Sequence, residues 1–330
     1  MRVLQIGAGR WGRNHVRSWQ RLGANLCLFD LDPAACAPFD VPTAASIDAA
    51  LGSVDAVDVV TPSSTHAALV RQAIEAGKDV FVEKPLTPRA DEAFELDALA
   101  RERNAILQVG HVFRFSPEAG GLKRLLEAGH IGLPTYASGQ FGGFKRPRAD
   151  GGAAISDGIH WIDLASWLLG AQPRAVQATL RDTLGRGLDD VALLTLDYGD
   201  TLVQIEAGYH LPEPRRNFTV MGPRGALTCD FLAEGDKLHV YRGGHVRDDT
   251  GAWQAPDRNR ESHPTGNDEP LLDQLDAFVD ACRTRTPSEI AASGFDGAAA
   301  VAAVEACNRA ATDGRRVEVK LPTPARGEDS

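Results

Sequence analysis

The segment that most constrains this chain is a short apolar run, residues 3–6, that passes directly into GAGRWG. Gly7, Gly9 and Gly12 form G-x-G-x-x-G, with a strand expected before them and an amphipathic helix over 11–22 after them. A glycine triplet alone arises by chance; its place between strand and helix gives it meaning. The first glycine permits a tight turn and the second lets the backbone approach a pyrophosphate. The third lets the helix close on the strand, with the helix N-terminus facing the phosphates. A second strand is expected over 26–30, ending on Asp30. A carboxylate there can accept hydrogen bonds from both hydroxyls of an adenosine ribose. Asp32 adds a second negative charge and no Arg or Lys stands in FDLDP, so NAD is expected and the 2′-phosphate of NADP is disfavoured. Asp30 in FDLDP can also be read as a turn residue.

Strand and helix patterns continue to alternate: strands at 56–60, 80–82 and 106–109, helices at 65–76 and 90–103. This order implies a doubly wound parallel sheet covered on both faces. The pattern changes near Ser116-Pro117. Helices are expected at 121–128 and 156–169, then strands at 175–181, 191–196, 202–207, 218–221, 226–229 and 238–241 with no helix between them. Consecutive strands joined by short turns imply an open, largely antiparallel sheet. Helices at 271–282 and 297–311 and a strand at 316–321 follow; 243–268 reads as a long surface loop. The expected division is a dinucleotide-binding domain at 1–117, a substrate-binding and oligomerisation α/β domain at 118–321, and a disordered tail at 322–330.

At 330 residues the chain is comfortable for two domains, and 43% hydrophobic with 24% charged residues is the balance of a globular protein. A net charge of −10 argues against general nucleic-acid binding. No apolar stretch of about 18 residues exists, so no membrane span is expected. MRVLQIG reads as a first strand and not a signal peptide. The five cysteines are scattered and read as reduced thiols, which places the protein in the cytoplasm. The nine histidines show no metal-binding spacing, and no metal is expected.

Two more strand ends carry motifs. VVTPSSTH leaves one strand through Thr61, Pro62 and Ser63 into a helix capped by Ser64 or Thr65, with His66 close behind. VFVEKP leaves the next with Glu83, Lys84 and Pro85. Such ends line the crevice of a doubly wound sheet.

Taken together, GAGRWGRNH, VDVVTPSSTHAALVRQAIEAGKDVFVEKPL, VGHVFRF, GIHWIDLASWLLG and FTVMGPRGALTCDF resemble the glucose–fructose oxidoreductase, inositol dehydrogenase and rhizopine catabolism protein (Gfo/Idh/MocA) family. The resemblance runs to about residue 321. It implies a Rossmann domain followed by an α/β domain with an open sheet. It implies cofactor contacts from the glycine loop, Arg10 and Trp11 included, and from the TP-x3-H and EKP segments. It places Lys84 by the nicotinamide ribose and the substrate, with His160 reaching the same place from the second domain. It also implies a homodimer or homotetramer. Family members often carry an aspartate four residues before the histidine; here Ser156 stands there and the aspartate is Asp157. Asp157 is a catalytic candidate on the same helix face as His160, and Ser156 and Asp157 are alternatively helix caps. Asp163 is a candidate to orient the His160 imidazole.

Chemically, His160 suits a proton acceptor, because an imidazole titrates near working pH. Lys84 suits stabilisation of a developing alkoxide; alternatively it pairs with Glu83 on the surface. Arg114, at the edge where the crevice opens, Asp163 and Arg148 are the expected substrate contacts. Arg148 lies with Lys145 and Arg146 in FGGFKRPRAD, a cluster that suits a pyrophosphate or carboxylate, or is a solvated basic turn. The expected activity is hydride transfer between NAD and a secondary alcohol of a sugar, with a nucleotide-linked (UDP) hexose or amino sugar leading. An inositol or free-sugar dehydrogenase, and a non-catalytic dinucleotide-binding sensor, are the alternatives.

Overall fold

The computed structural model describes residues 1–255, 259–266 and 269–322. β1 (Arg2–Ile6), β2 (Asn25–Phe29), β3 (Ala56–Val59), β4 (Asp79–Val82) and β5 (Leu107–Val109) form a parallel sheet in the order β5-β4-β3-β1-β2. The chain builds from β1 to β2 on one side, then returns to place β3 on the other side of β1. The loop after β1 therefore sits where the strand order reverses, and there the crevice of such a sheet opens. α1 (Gly12–Arg21) packs its Val16 and Trp19 on one face. α2 (Pro33–Cys36) and α3 (Ile47–Leu51) are too short to carry a periodic apolar stripe, and the sequence pattern did not mark them. α4 (His66–Glu75) and α5 (Ala90–Glu102) cover the other face with Val70, Ile74 and Leu96.

After α6 (Pro117–Glu127) the second sheet begins with β6 (Tyr136–Gly142), a strand whose range the sequence did not mark. Two glycines in YASGQFG lower its strand signal, yet packing requires one of them. A Cβ on Gly139 would stand 2.7 Å from the Trp161 ring and 2.6 Å from that of Phe218. α7 (Ile159–Leu169) follows, buried almost all round, as suits a helix inside a core. Then come β7 (Ala175–Arg181), β8 (Val191–Asp197), β9 (Leu202–Gly208), β10 (Arg215–Gly222), β11 (Gly225–Asp230) and β12 (Leu238–Arg242). The expected loop at 243–268 contains a small hairpin, β13 (Val246–Arg247) with β14 (Trp253–Gln254), and an edge strand, β15 (Asn259–His263).

α8 (Pro270–Thr284), β16 (Ala292–Ser293), α9 (Gly294–Asp313) and β17 (Val317–Glu318) complete the chain. The second sheet has nine strands in the order β15-β12-β11-β10-β6-β9-β8-β7-β17. Every neighbouring pair is antiparallel except β6 with β9. α7 and α9 bury one face of it, while Leu193 of β8 and Leu202 of β9, both in interior strands, stand exposed.

The return of the chain crosses the expected boundary at residue 117. α8 lies on the N-terminal sheet, with Phe278 edge-on to Phe81 at 5.8 Å and to Trp19 at 6.5 Å. β16 extends the same sheet as an antiparallel edge against β5. Residues 270–293 thus pack with the dinucleotide-binding sheet and not solely with the second unit. Ser293 and Asp296 close a reciprocal capping box at the start of α9, a feature worth about 1 kcal/mol. The tail expected to be disordered lies, from residue 323 on, outside the described residues.

Candidate active site

The glycine loop is braced from within. Gly7 has φ +101°, and a Cβ on it would lie 2.5 Å from the Val60 carbonyl oxygen. A Cβ on Gly12 would lie 2.3 Å from the Gly7 carbonyl oxygen, which is how closely the helix starts against the turn. A Cβ on Gly9 meets nothing within 4 Å among the described residues, which leaves room for an incoming group. Gln5 Nε2 donates to the carbonyls of Gly7 (2.8 Å) and Gly12 (2.9 Å) and fixes the loop. Asp30 follows β2 and accepts from the Ala8 amide at 2.7 Å and the Asp32 amide at 2.9 Å. Asp32 caps α2 by accepting from Ala34 N. These groups fit a dinucleotide: an open glycine where backbone must meet phosphate, and a carboxylate at the ribose position.

The ends of β3 and β4 are tied together by His66, whose Nδ1 lies 2.8 Å from the Pro85 carbonyl and Nε2 2.9 Å from that of Thr61. His66 is buried and both ring nitrogens lie within hydrogen-bond distance of these carbonyls, so it holds the two loops in place. Thr65 does not cap α4 with its side chain; its hydroxyl donates to Pro62 O at 2.8 Å. Ser63 is buried in the short 3-10 turn that precedes α4. Arg10 and Trp11 are exposed at the loop rim, and Trp11 borders a cavity of about 460 Å³ with Phe113 and Phe231.

Glu83 and Lys84 are buried, which excludes a surface salt bridge between them. The Lys84–Pro85 peptide is cis. Behind Glu83 stands His15, with Nε2 3.2 Å from Glu83 Oε1 and Nδ1 2.9 Å from Asp58 Oδ2. Trp19 Nε1 donates to the same Asp58 oxygen at 2.7 Å. Burial opposes charge on His15, but the two carboxylates outweigh it and raise its pKa to about 10. His15 is therefore an imidazolium that lets two carboxylates be buried together. Gly110 leaves room for Glu83, since a Cβ there would lie 2.8 Å from Oε1.

Lys84 Nζ crosses to the second sheet's side and donates to the Ser156 carbonyl at 2.6 Å. Burial, followed by the charge of Arg148, lowers its pKa to about 8 against the opposing pull of Asp157 and Glu83. Ser156 and Asp157 lie in a π-helical turn, Ala154–Gly158, immediately before α7, and neither caps a helix. The extra residue of such a turn shifts which side chains share a face. Asp157 consequently meets Lys145 Nζ at 2.7 Å and is not hydrogen-bonded to His160. His160 stacks on Phe141 at 5.0 Å and 17°, with Phe113 edge-on at 5.1 Å. Its Nδ1 is buried without a hydrogen-bond partner among the described residues. Burial first, then the charges of Lys84, His111, Arg216 and Lys145, hold its pKa well below the ordinary value, so the ring is neutral.

Two expected substrate contacts are corrected. Arg114 and Asp163 are both buried and bind each other, through Arg114 Nη2 at 2.6 Å and Nε at 3.0 Å from the carboxylate. Arg114 also lies 3.5 Å from Asp296. Breaking such a pair leaves an uncompensated buried charge and costs about 3–5 kcal/mol; it is a strut between α7 and the β5 end. Asp163 faces Arg114 and His111 (3.6 Å), not His160. Arg148 is half-exposed beside Asp150 at 3.6 Å.

Several residues at the site were missed. His111 follows β5, is buried, and neither ring nitrogen has a hydrogen-bond partner among the described residues. Its signal was its position at a strand's C-terminal end. His15 sits three residues past the glycine motif, where no spacing rule marks it. Phe141, Arg186, Tyr209 and Arg216 come from separate strands and loops and carry no local signal.

Residues 1–111 match the oxidoreductase family with NAD-binding Rossmann fold, and residues 121–228 match the Gfo/Idh/MocA C-terminal domain. The UDP-N-acetylglucosamine 3-dehydrogenase of Acidithiobacillus ferrooxidans is 33% identical over 74% of this chain and 78% of its own length. Inositol 2-dehydrogenase 4 of Saccharopolyspora erythraea is 32% identical over 97% of this chain and 96% of its own. Among solved structures, GenD2 from gentamicin A biosynthesis, in complex with NAD, superposes with a TM-score of 0.81 at 25% identity, covering 97% of each chain.

Proposed function

The chain belongs to the Gfo/Idh/MocA family of NAD-binding oxidoreductases, and we propose that it oxidises a secondary alcohol of a sugar, with Lys84 and His160 acting on the alcohol. The observation that carries this reading is a buried ammonium from the β4 end reaching the turn that leads into a buried imidazole on α7, close enough for its charge to act on that ring. Lys84 reaches the turn that precedes His160 through the Ser156 carbonyl at 2.6 Å.

Gly7, Gly9, Gly12 and Asp30 would hold the dinucleotide, which when bound supplies the hydride acceptor for the reaction. His160 takes the hydroxyl proton, a role that needs the unprotonated ring its surroundings favour. Lys84 donates a hydrogen bond to the same oxygen and offsets the charge that develops as the proton leaves. Asp157 holds Lys145 and tempers the cationic field on Lys84, a positioning role in place of proton transfer. The turns 61–63 and 83–85 and the indole of Trp11 border the cofactor. The division into a cofactor unit and a substrate unit follows the two sheets, with 270–293 assigned to the first.

The substrate class that fits is a nucleotide-linked hexose or amino sugar, supported by the UDP-sugar dehydrogenase relative and by the basic residues beyond β6. The inositol dehydrogenase relative, which spans nearly the whole chain, supports a neutral polyol as the second reading. The test is absorbance of reduced nicotinamide as UDP-hexoses, free hexoses and inositols are offered with NAD. Turnover of at least one is expected. NADH binding with no turnover of any of them would contradict the dehydrogenase reading and favour a sensor.

A further inference from the structure

One side of the proposed site carries more positive charge than the proposed chemistry uses. The series begins at Arg216 on β10, whose guanidinium lies 3.7 Å from the Phe141 ring centroid. Lys145 stands over Phe141 at 5.3 Å and over Tyr209 at 5.5 Å. Arg186 stands over the other end of the series, 5.9 Å from Tyr209. His160 stacks on the same Phe141, so the cations start beside the proposed base. Arg216 Nη1 donates to the carbonyls of Gly142 (2.7 Å) and Arg215 (2.6 Å) and Lys145 pairs with Asp157, which fixes both cations while each keeps further N–H donors.

The β7–β8 loop is built to present Arg186. Gly185 (φ +67°) and Gly187 (φ +75°) flank it in the left-handed region. Asp182 accepts from the amides of Arg186 (2.9 Å) and Gly187 (2.6 Å). Asp190 accepts from Thr183 N at 3.0 Å and Leu184 N at 2.7 Å, which anchors the other side. From this turn the side chain folds back onto the protein, where Nη1 donates to the Arg148 carbonyl at 2.7 Å. Its Nε and Nη2 are buried and have no hydrogen-bond partner among the described residues. Charged donors left without acceptors cost free energy unless a partner arrives. The carboxylates nearby are committed: Asp157 to Lys145, Asp150 to Arg148, and Asp189 to the Ala154 amide. This concentration of cations stands in a chain whose net charge is −10.

We infer that Arg186, Arg216 and Lys145 form a subsite for an anionic substituent of the substrate, a phosphate ester or a carboxylate, attached to the sugar whose alcohol faces His160. This rests on the dehydrogenase reading and deepens it. The unpaired Nε and Nη2 of Arg186 form one edge of the guanidinium, the fork that grips two oxygens of such a group at once. A neutral polyol would leave that edge unmatched. Arg148 contributes its carbonyl to hold Arg186 in place.

The experiment compares matched substrates on the NAD-loaded enzyme: a hexose, its 1-phosphate, its UDP-linked form and its uronic acid. The anionic members should exceed the neutral hexose in kcat/KM by about 10²-fold, the size expected of two charge-assisted hydrogen bonds. Arg186→Gln should remove about tenfold of that advantage or more, carried in KM and not in kcat. Preference among the phosphate, UDP and uronate members identifies the group bound. In parallel, UDP and inorganic pyrophosphate are titrated into NADH-loaded enzyme by calorimetry, where Arg186→Gln and Arg216→Gln should each weaken binding. Neutral sugars or inositols turned over as well as their anionic counterparts would overturn the subsite and leave the dehydrogenase reading standing. Arginine-dependent pyrophosphate or UDP binding without turnover of any sugar would support the subsite and overturn that reading. Pyrophosphate and UDP binding unaffected by both substitutions, with kcat/KM on the uronic acid unchanged by them as well, would overturn the subsite.

Discussion

In the N-terminal half of the site, each functional group lies within a few residues of the strand end that carries it. Gly7 to Gly12 follow β1, Asp30 follows β2, Thr61 follows β3 and Lys84 follows β4. In the second half, the groups around His160 come from α7, β6, the loops after β6, β7 and β9, and β10. The first half is constrained by backbone: glycines without room for a Cβ and carbonyls that must approach closely. The second is constrained by side-chain stacking and ion pairs across distant strands. Backbone constraints change little with the bound molecule, whereas a stacked set of side chains can be exchanged to suit another substrate. Cofactor binding and substrate choice should therefore be separable by mutation.

The largest effect should come from the backbone-limited half. Gly12→Val forces a Cβ against the Gly7 carbonyl, 2.3 Å away, and should open the loop. Loss of several charge-assisted amide contacts to phosphate predicts NADH affinity reduced by about 10²-fold or more. Fluorescence titration that finds wild-type affinity in this variant would break the distinction between the halves.

A smaller effect follows from the group that bridges them. The Lys84 ammonium is present below pH about 8 and lost above it. Turnover should fall on the alkaline side with that midpoint. The His160 ring is neutral well below pH 6.5, so no second limb should appear between pH 6.5 and 8. A rate profile at saturating NAD checks both, and a flat profile to pH 10 would remove Lys84 from the proposed chemistry.

The smallest concerns cofactor choice. NADH should bind more tightly than NADPH, because Asp30 and Asp32 put two carboxylates at the β2 end, the place proposed for the adenosine ribose. Asp30→Ser should narrow the gap by about tenfold, the loss of one modest electrostatic contact. Equal affinities in the unaltered enzyme would contradict the role given to Asp30.

What the sequence made legible follows the same line. The glycine motif, Asp30 and the EKP turn were readable because local backbone chemistry fixes residue type at fixed spacing. β6 was given no range because its two glycines look like loop punctuation until Trp161 and Phe218 are seen to need the space. Asp157 was placed with His160 by helical spacing, and one π-helical turn moved it to Lys145. Arg114 and Asp163 carried the right residue types for substrate binding, but their burial against each other is a property of packing between β5 and α7. Arg186 offered no signal at all: LGRG reads as a surface turn, and only the tertiary fold brings it over Tyr209.

The separation of the halves is tested most directly by measuring NADH affinity and turnover side by side in His160→Ala. Turnover should fall by about 10²-fold or more, as for loss of a positioned acid–base group, while NADH affinity stays within about threefold, because the imidazole comes from α7 and not from the cofactor loops. Near-normal turnover, or NADH affinity lost together with turnover, would contradict the assignment of His160 as the proton acceptor in a substrate half distinct from the cofactor half.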